Sequence, residues 1–211
     1  MFDKTGTITK GLLEVAKIWM QADVLSPSVI LSALGCAETN SEHPIAAAII
    51  NYVRDTLGCE LTGSTTNFQA VPGCGMKCTV TNLSEMVRNI KNNKEISNFT
   101  SLVNAGSSGV FTVNGIQIEV THSQNMRLGQ LIGMSGIQED VDGIYEVIIG
   151  NREWMHRNGF MVSNELDRNM AAEEEQGRSA VLCAINGKVF SMDMLLVKQA
   201  LTDISDIQYW Y

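Results

Sequence analysis

The sequence predicts an α/β fold in which an antiparallel β-sheet is flanked by helices. Strand-like runs follow one another as hairpins: "NFQAV" and "MKCTVT" are joined by "PGCG", and "AVLCAINGKVFSM" contains Asn186-Gly187, a strong two-residue turn signal. Helical patterns stand in pairs between these hairpins. Strands that pair through hairpins, accompanied by paired helices, are typical of a sheet covered by helices.

The first quarter of the chain predicts one strand and two helices. Residues 12–20 mix β-branched and aromatic side chains in a short run, which favours a strand. Ser26 precedes Pro27, a combination typical of an N-cap and the first helical position. A second helix is expected to begin at Pro44 and to stop at Gly58, where glycine suits a C-terminal cap.

The remaining elements are predicted from a change of period. Apolar Met76 and Cys78 alternate with polar neighbours, as in a strand with one buried face. "IYEVII" at 144–149 predicts another strand that runs into a short helix closed by Gly159, and Ser163 can cap a further helix. Between about 83 and 143 the sequence is rich in Asn, Ser and Gly, so we expect a long, partly mobile insertion with one extra hairpin.

Composition limits the classes of partner. The net charge of −8 and pI near 4.9 argue against binding to nucleic acid or anionic lipid. No signal peptide and no apolar run of membrane-spanning length is visible, so we expect a soluble chain without direct membrane insertion. Five irregularly spaced cysteines indicate reduced thiols in the cytosol. The pair in "CGMKC" fits thiols on a strand better than a metal site.

Four motifs in order, "DKTGT", "SEHP", "VPGCGMKC" and "GNREW", resemble the heavy-metal-transporting P-type ATPases. The wider runs "CAETNSEHP" and "FQAVPGCGMKCTV" are most similar to the animal copper-transporting ATPases of the Wilson and Menkes kind. The resemblance implies the nucleotide-binding domain of such a pump. It divides the chain into the start of a Rossmann-like phosphorylation domain (1–11), the nucleotide-binding domain (12–192) and a divergent or truncated segment in which the chain returns to the phosphorylation domain (193–211).

"DKTGT" resembles the phosphorylation motif of the family. Asp3 would be the carboxylate nucleophile that takes the γ-phosphoryl group of ATP as an aspartyl phosphate. Lys4 would add positive charge and Thr5 a hydroxyl, with Mg²⁺ expected at Asp3 and Thr5. Taken alone, the motif also fits a polar turn. Thr5 stands where related phosphatases carry a general acid, which disfavours a stand-alone phosphatase.

The resemblance also implies the residues that bind ATP. His43 would orient the adenine ring, with Pro44 fixing the helix start, and Glu38 matches an acid that contacts adenine. The other positions that match family pocket residues are Gly73, Gly75, Met76, Cys78, Gly150 and Asn151, with Arg152 a weaker candidate. Each also has a structural alternative: a capping histidine, a solvated carboxylate, a tight turn between strands, or an asparagine that makes only local hydrogen bonds.

Some family features are missing from the sequence. The Cys-Pro-Cys membrane motif, "TGD" and "GDGxND" do not occur, and "DIQYWY" matches no family segment, which suggests a truncated, alternatively spliced or mis-predicted end. We therefore expect an ATP-binding domain that belongs to the cytosolic part of a Golgi or plasma-membrane Cu⁺ pump. On its own, this chain is expected to bind ATP without turnover. Copper would be a partner only through the membrane part. The alternative is a soluble nucleotide-binding or regulatory module without catalysis.

Overall fold

The computed structural model describes residues 9–22, 25–90, 93–122, 143–186 and 192–201. Within these ranges the chain forms six α-helices and eight β-strands. The helices are α1 (Pro27–Glu38), α2 (Pro44–Leu57), α3 (Ser84–Ile90), α4 (Lys94–Asn104), α5 (Arg152–Arg157) and α6 (Asn164–Glu174). The strands are β1 (Thr9–Gln21), β2 (Ser64–Val71), β3 (Gly75–Thr81), β4 (Gly109–Val113), β5 (Ile116–Thr121), β6 (Tyr145–Gly150), β7 (Ser179–Ile185) and β8 (Met192–Leu201).

The described strands form one sheet in the order β2-β3-β6-β7-β8-β1-β5-β4. Six of the seven neighbouring pairs are antiparallel, which confirms the predicted sheet type. The exception is the parallel pairing of β1 with β5, which the sequence did not predict. A parallel pair needs a long crossover, and here the chain between the two strands includes α1 to α4 and the β2–β3 hairpin.

Short-range signals fix the start of α1 and both ends of α2 as predicted. Ser26 is the N-cap of α1, and its hydroxyl accepts a hydrogen bond from the Val29 backbone N–H. Pro44 occupies the first turn of α2, where its missing N–H costs no helical hydrogen bond. Gly58 ends α2 with φ of 66° and donates its N–H to the Arg54 carbonyl oxygen at 2.8 Å.

The sheet has a hydrophobic core on each face. Strand β3 buries alternate residues, as the period of two predicted, and they join the larger core under α1 to α4. On β7, Val181 and Cys183 belong to this core, whereas Leu182 and Ala184 belong to a second core with residues of α5 and α6. Helix α1 is buried along its whole length, so its C-terminal end reaches the site from inside the fold.

The segment expected as a long insertion contains more regular structure than predicted. Its expected hairpin is present as β4 and β5, but α3 and α4 were not predicted. Helix α4 buries Ile96, Phe99, Thr100 and Val103 at helical spacing, and Asn93 caps it by accepting from the Glu95 N–H at 3.1 Å. Residues 123–142 lie outside the described residues.

Strand β8 pairs with both β7 and β1 and therefore lies inside the sheet. The pairing with β7 confirms the predicted hairpin, with Asn186 at φ of 62° where the turn begins. The proposed domain boundary at 192 and 193 thus falls next to the start of a strand of this sheet, and the division into domains stays a prediction. Among the described helices, none combines the length and apolar character that a membrane crossing requires.

Candidate nucleotide site

A cavity of about 720 Å³ lies where the end of α1, the start of α2, the β2–β3 turn and the end of β6 meet. Seven of the eight predicted ATP-binding residues line it, namely Glu38, His43, Gly73, Gly75, Met76, Gly150 and Asn151. Their sequence positions extend over more than a hundred residues, and the fold brings them together at one cavity. The volume is within the range of about 300–1,000 Å³ that is usual for small-molecule sites.

One wall of the cavity is the loop between α1 and α2. His43 is the N-cap of α2, and its Nδ1 accepts a hydrogen bond from the Ile45 backbone N–H at 3.2 Å. Because Nδ1 accepts, a neutral ring carries its proton on Nε2, which can donate to a ligand. The capping role that we considered as an alternative is therefore present, and it orients an exposed imidazole at the cavity.

Glu38 is a buried acid at the C-terminal end of α1, with 4% of its surface exposed. Burial raises the pKa of its carboxyl group from the ordinary 4.5 to about 7, and a hydrogen bond with Ser41 opposes this shift. The alternative of a solvated helix-end carboxylate is wrong, because the side chain is inside the fold. At neutral pH the carboxyl group can be present in both protonation states, so it can donate or accept a hydrogen bond.

The opposite wall is the turn between β2 and β3. Val71 accepts a hydrogen bond from the Cys74 N–H at 3.0 Å, with Pro72 and Gly73 between them. Gly73 has φ of 74°, which is typical of the third residue of a type II turn. No described atom lies within 4 Å of the Cβ that a substitution at Gly73 would add, so this glycine faces open space at the cavity.

Gly75 and Gly150 serve a different purpose, because protein atoms already fill the space beside them. A Cβ on Gly75 would lie 2.2 Å from the Ile149 carbonyl oxygen, and one on Gly150 would lie 2.5 Å from that of Cys74. These two glycines therefore allow the start of β3 and the end of β6 to approach each other closely. Of the two glycines in "GCG", only Gly73 leaves room for a ligand against the backbone.

Asn151 follows the end of β6 and connects it to the turn between β2 and β3. Its Oδ1 accepts from the Trp154 N–H at 2.9 Å and caps α5, and its Nδ2 donates to the Gly73 carbonyl oxygen at 2.9 Å. Its backbone N–H donates to the Cys74 carbonyl oxygen at 2.9 Å. The alternative of local hydrogen bonding at a helix start is thus realised, and the side chain also holds the turn that forms the cavity wall.

Cys78 and Arg152 lie away from the cavity surface. Cys78 is buried two residues further along β3, on the same face as Met76, and is not among the described lining residues. Burial, with a contribution from nearby Glu38, raises the pKa of the Cys78 thiol to about 12. Arg152 Nη1 pairs with Glu174 at 2.7 Å and its Nε with Asp167, which ties α5 to α6.

Several site residues were not predicted from the sequence. Phe68, Ile149 and Val181 add apolar surface to the cavity, and Trp154 lies behind it with its indole N–H bonded to the Met76 carbonyl oxygen at 3.0 Å. Ile149 and Val181 are ordinary apolar strand residues, so no local pattern separates them from the rest of the core. Trp154 is the last residue of the "GNREW" motif, so the family resemblance was the signal that could have pointed to it.

Asp3, Lys4 and Thr5 lie outside the described residues, so their predicted phosphorylation and magnesium roles stay predictions. Within the part of the chain that is described, no cluster of three His, Cys, Asp or Glu side chains could hold a metal ion.

Comparison with known proteins places this chain in a family. The pattern described as haloacid dehalogenase-like hydrolase matches residues 1–203, so the chain belongs to the haloacid dehalogenase-like hydrolases. In sequence, the chain is 38% identical over 192 residues to Copper-transporting ATPase 1 of Mus musculus, covering 90% of this chain and 12% of that protein. It is 33% identical over 194 residues to Copper-transporting ATPase 2 of Homo sapiens, covering 91% of this chain and 11% of that protein.

These relatives confirm the predicted resemblance to copper-transporting P-type ATPases, although the chain spans only about an eighth of their length. A crystal structure of a zinc-transporting PIB-type ATPase has a TM-score of 0.51 with this chain at 17% identity. The match covers 96% of this chain and 21% of that one. At this identity the similarity demonstrates a shared fold, which agrees with the predicted α/β class.

Proposed function

We propose that this chain is the ATP-binding domain of a copper-transporting P-type ATPase. The observation that carries the proposal is the convergence of seven predicted ATP-binding residues on one cavity of suitable volume. The names of the curated relatives support copper as the transported ion. The fold shared with a zinc-transporting ATPase supports the class of pump.

The chemistry of the cavity suits a purine nucleotide. Apolar side chains such as Phe68 and Ile149 can pack against the faces of a base. His43 can donate from Nε2, and Glu38 can pair with the hydrogen-bonding edge of adenine. The open backbone at Gly73 gives the rest of the nucleotide a close approach without a Cβ in the way.

In the complete pump, Asp3 would attack the γ-phosphorus of bound ATP, forming an aspartyl phosphate and releasing ADP. Lys4 and Thr5 would stabilise the transferred phosphoryl group, and Mg²⁺, held with the help of Asp3 and Thr5, would supply charge neutralisation there. The phosphoenzyme cycle would drive Cu⁺ across a Golgi or plasma membrane, with this domain in the cytosol. Sequencing the transcript beyond both ends tests this context, and a longer reading frame with apolar spans of about 20 residues is expected.

Isothermal titration of the purified chain with ATP tests nucleotide binding. We expect binding heat in the wild type, and binding weakened at least about tenfold in His43→Gln, because the imidazole donor is lost. His156→Gln is the matched control, since His156 is an exposed histidine of α5 outside the cavity lining. Absence of binding heat in the wild type would contradict the proposal.

We also propose that this chain alone binds ATP without turnover. The supporting observation is that the "TGD" and "GDGxND" segments, which complete the phosphorylation site in the family, do not occur in these 211 residues. Incubation with ATP labelled at the γ-phosphate, followed by acid quenching, should leave the chain unlabelled. Acid-stable label that disappears in Asp3→Asn would show that the chain phosphorylates itself and would sink this part of the proposal.

A further inference from the structure

Trp154 lies at the junction between α5 and the wall of the cavity. Its side chain is buried, with 7% of the residue exposed, and its Nε1–H donates to the Met76 carbonyl oxygen at 3.0 Å. Its backbone N–H donates to Asn151 Oδ1 at 2.9 Å. One residue thus contacts β3 through its ring and contacts the N-cap of α5 through its backbone.

The ring of Trp154 also occupies the space beside both close-packed glycines. Its Cδ1 would lie 2.6 Å from a Cβ on Gly75 and 2.7 Å from a Cβ on Gly150. The indole edge therefore packs directly on the backbone where β3 begins and β6 ends. This packing explains why glycine occupies both the first residue of β3 and the last residue of β6.

We propose that Trp154 is a positioning residue for nucleotide binding, holding the cavity wall formed by Gly73 to Met76 at its working distance from His43 and Glu38. The inference rests on the proposed function and deepens it. Met76 lines the cavity, so the Trp154–Met76 hydrogen bond acts on a residue of the wall itself. Trp154 is not among the described lining residues, and so it acts through the wall rather than through contact with the ligand.

The position of Trp154 is in turn fixed by α5 and its neighbours. The adjacent Arg152 pairs with Asp167 and Glu174 of α6, and Met155 is buried in the second core. Helix α5 therefore forms a supported base for the indole. Because the hydrogen bonds of Asn151 and Trp154 hold the same wall, their substitutions should not act independently in nucleotide binding.

Trp154→Phe tests the inference, since phenylalanine keeps an aromatic ring but removes the N–H donor. We expect ATP affinity to fall about three- to tenfold in a protein that remains folded by circular dichroism. Trp19→Phe is the matched control, because Trp19 lies on β1 outside the cavity lining, and its ATP affinity should equal that of the wild type.

Double-mutant cycles separate positioning from a general loss of stability. The combined effect of Trp154→Phe and Asn151→Ala on ATP affinity should be smaller than the product of the single effects, because both release the same wall. Trp154→Phe with Glu38→Gln should lie closer to the product, since Glu38 belongs to the opposite wall and shares no hydrogen bond with Trp154 or Asn151. Full independence of Trp154 and Asn151 would contradict the inference.

A readout without nucleotide distinguishes this inference from the proposed function. In the free protein, Trp154→Phe should speed hydrogen exchange of the Asn151 backbone N–H, which donates to the Cys74 carbonyl oxygen. Absence of ATP binding in the wild type would contradict the proposed function, and the exchange measurement would then decide the wall-holding role alone. If the wild type binds ATP and folded Trp154→Phe binds it equally well, the inference is overturned whatever the exchange shows.

Discussion

Asn151 donates its side-chain N–H to the carbonyl oxygen of Gly73 at 2.9 Å, joining residues that stand 78 positions apart in the sequence. The same side chain caps α5 through its oxygen, so both halves of the amide group have protein partners. The family resemblance implies that Asn151 is a pocket residue for ATP, and it lines the cavity. Its hydrogen bonds indicate in addition that it holds the turn against which the proposed nucleotide would lie.

Two substitutions of Asn151 should separate the effect of its capping hydrogen bond from the effect of its hydrogen bond to the Gly73 carbonyl oxygen. Asn151→Ala removes both, and we expect the free energy of unfolding to fall by about 1 kcal/mol, with weaker ATP binding. Asn151→Ser keeps a capping hydroxyl but is too short to reach the Gly73 carbonyl oxygen. Urea denaturation and ATP titration should therefore give near-wild-type stability but weakened binding in Asn151→Ser. Equal ATP affinity in the serine variant and the wild type would show that the Gly73 bond is dispensable.

Burial of Glu38 makes stability depend on pH. Since its pKa rises from 4.5 to about 7 on folding, the folded state binds the proton more tightly, and the stabilisation is complete below pH 4.5. It is lost as pH rises to about 7, by roughly 3 kcal/mol at most. The difference in free energy of unfolding between wild type and Glu38→Gln should therefore fall between pH 5 and 7 and level off above. A difference that is constant over this range would place the carboxyl group in water.

Sequence patterns predicted the elements whose causes are local. Ser26 marks the start of α1 and Gly58 the end of α2, each through a hydrogen bond to a residue at most four positions away. The burial of Met76 follows from the period of two along β3. Such features depend on neighbouring residues, which the sequence displays directly. The convergence on one cavity was implied by family resemblance, because no local signal relates His43 to Asn151.

The features that were missed depend on distant partners or on misleading composition. Helix α4 is polar enough to suggest a loop, but Asn93 caps it and also donates to the Thr56 carbonyl oxygen at 2.9 Å, so an apparent loop residue fixes a helix. The parallel pairing of β1 with β5 depends on a crossover of about a hundred residues. The role of Trp154 depends on its close packing against Gly75 and Gly150, where no Cβ separates the indole ring from the backbone, and composition alone does not reveal this contact.

The thiols should differ in reactivity, and one should report on the cavity. Cys36, Cys78 and Cys183 are buried, and burial raises the pKa of Cys36 to about 11, so these thiols should react with Ellman's reagent only after unfolding. Half-buried Cys59 and Cys74 should react in the native protein. Cys74 lines the cavity, and it should react faster than Cys59, because burial and the nearby Glu60 raise the pKa of the Cys59 thiol.

ATP should slow the reaction of Cys74 and leave that of Cys59 unchanged. Cys74→Ser should abolish the kinetic phase that ATP slows, which would assign that phase to the Cys74 thiol. Equal protection of both thiols would indicate general stabilisation by the nucleotide rather than occupancy of the cavity.

Gly150→Ala should damage both stability and nucleotide binding. The added Cβ would meet the Cys74 carbonyl oxygen at 2.5 Å and the Gly75 Cα at 2.8 Å, and backbone atoms cannot rotate away as a side chain can. We expect the free energy of unfolding to fall by about 3 kcal/mol, with ATP affinity reduced because the turn is pushed from its place. Gly159→Ala is the control: its φ of 84° costs about 1 kcal/mol, but no described atom lies within 4 Å of the new Cβ. Urea denaturation and ATP titration of both variants should therefore show weakened binding only in Gly150→Ala, and normal ATP affinity in a folded Gly150→Ala protein would mean that the contact between β3 and β6 does not set the cavity wall.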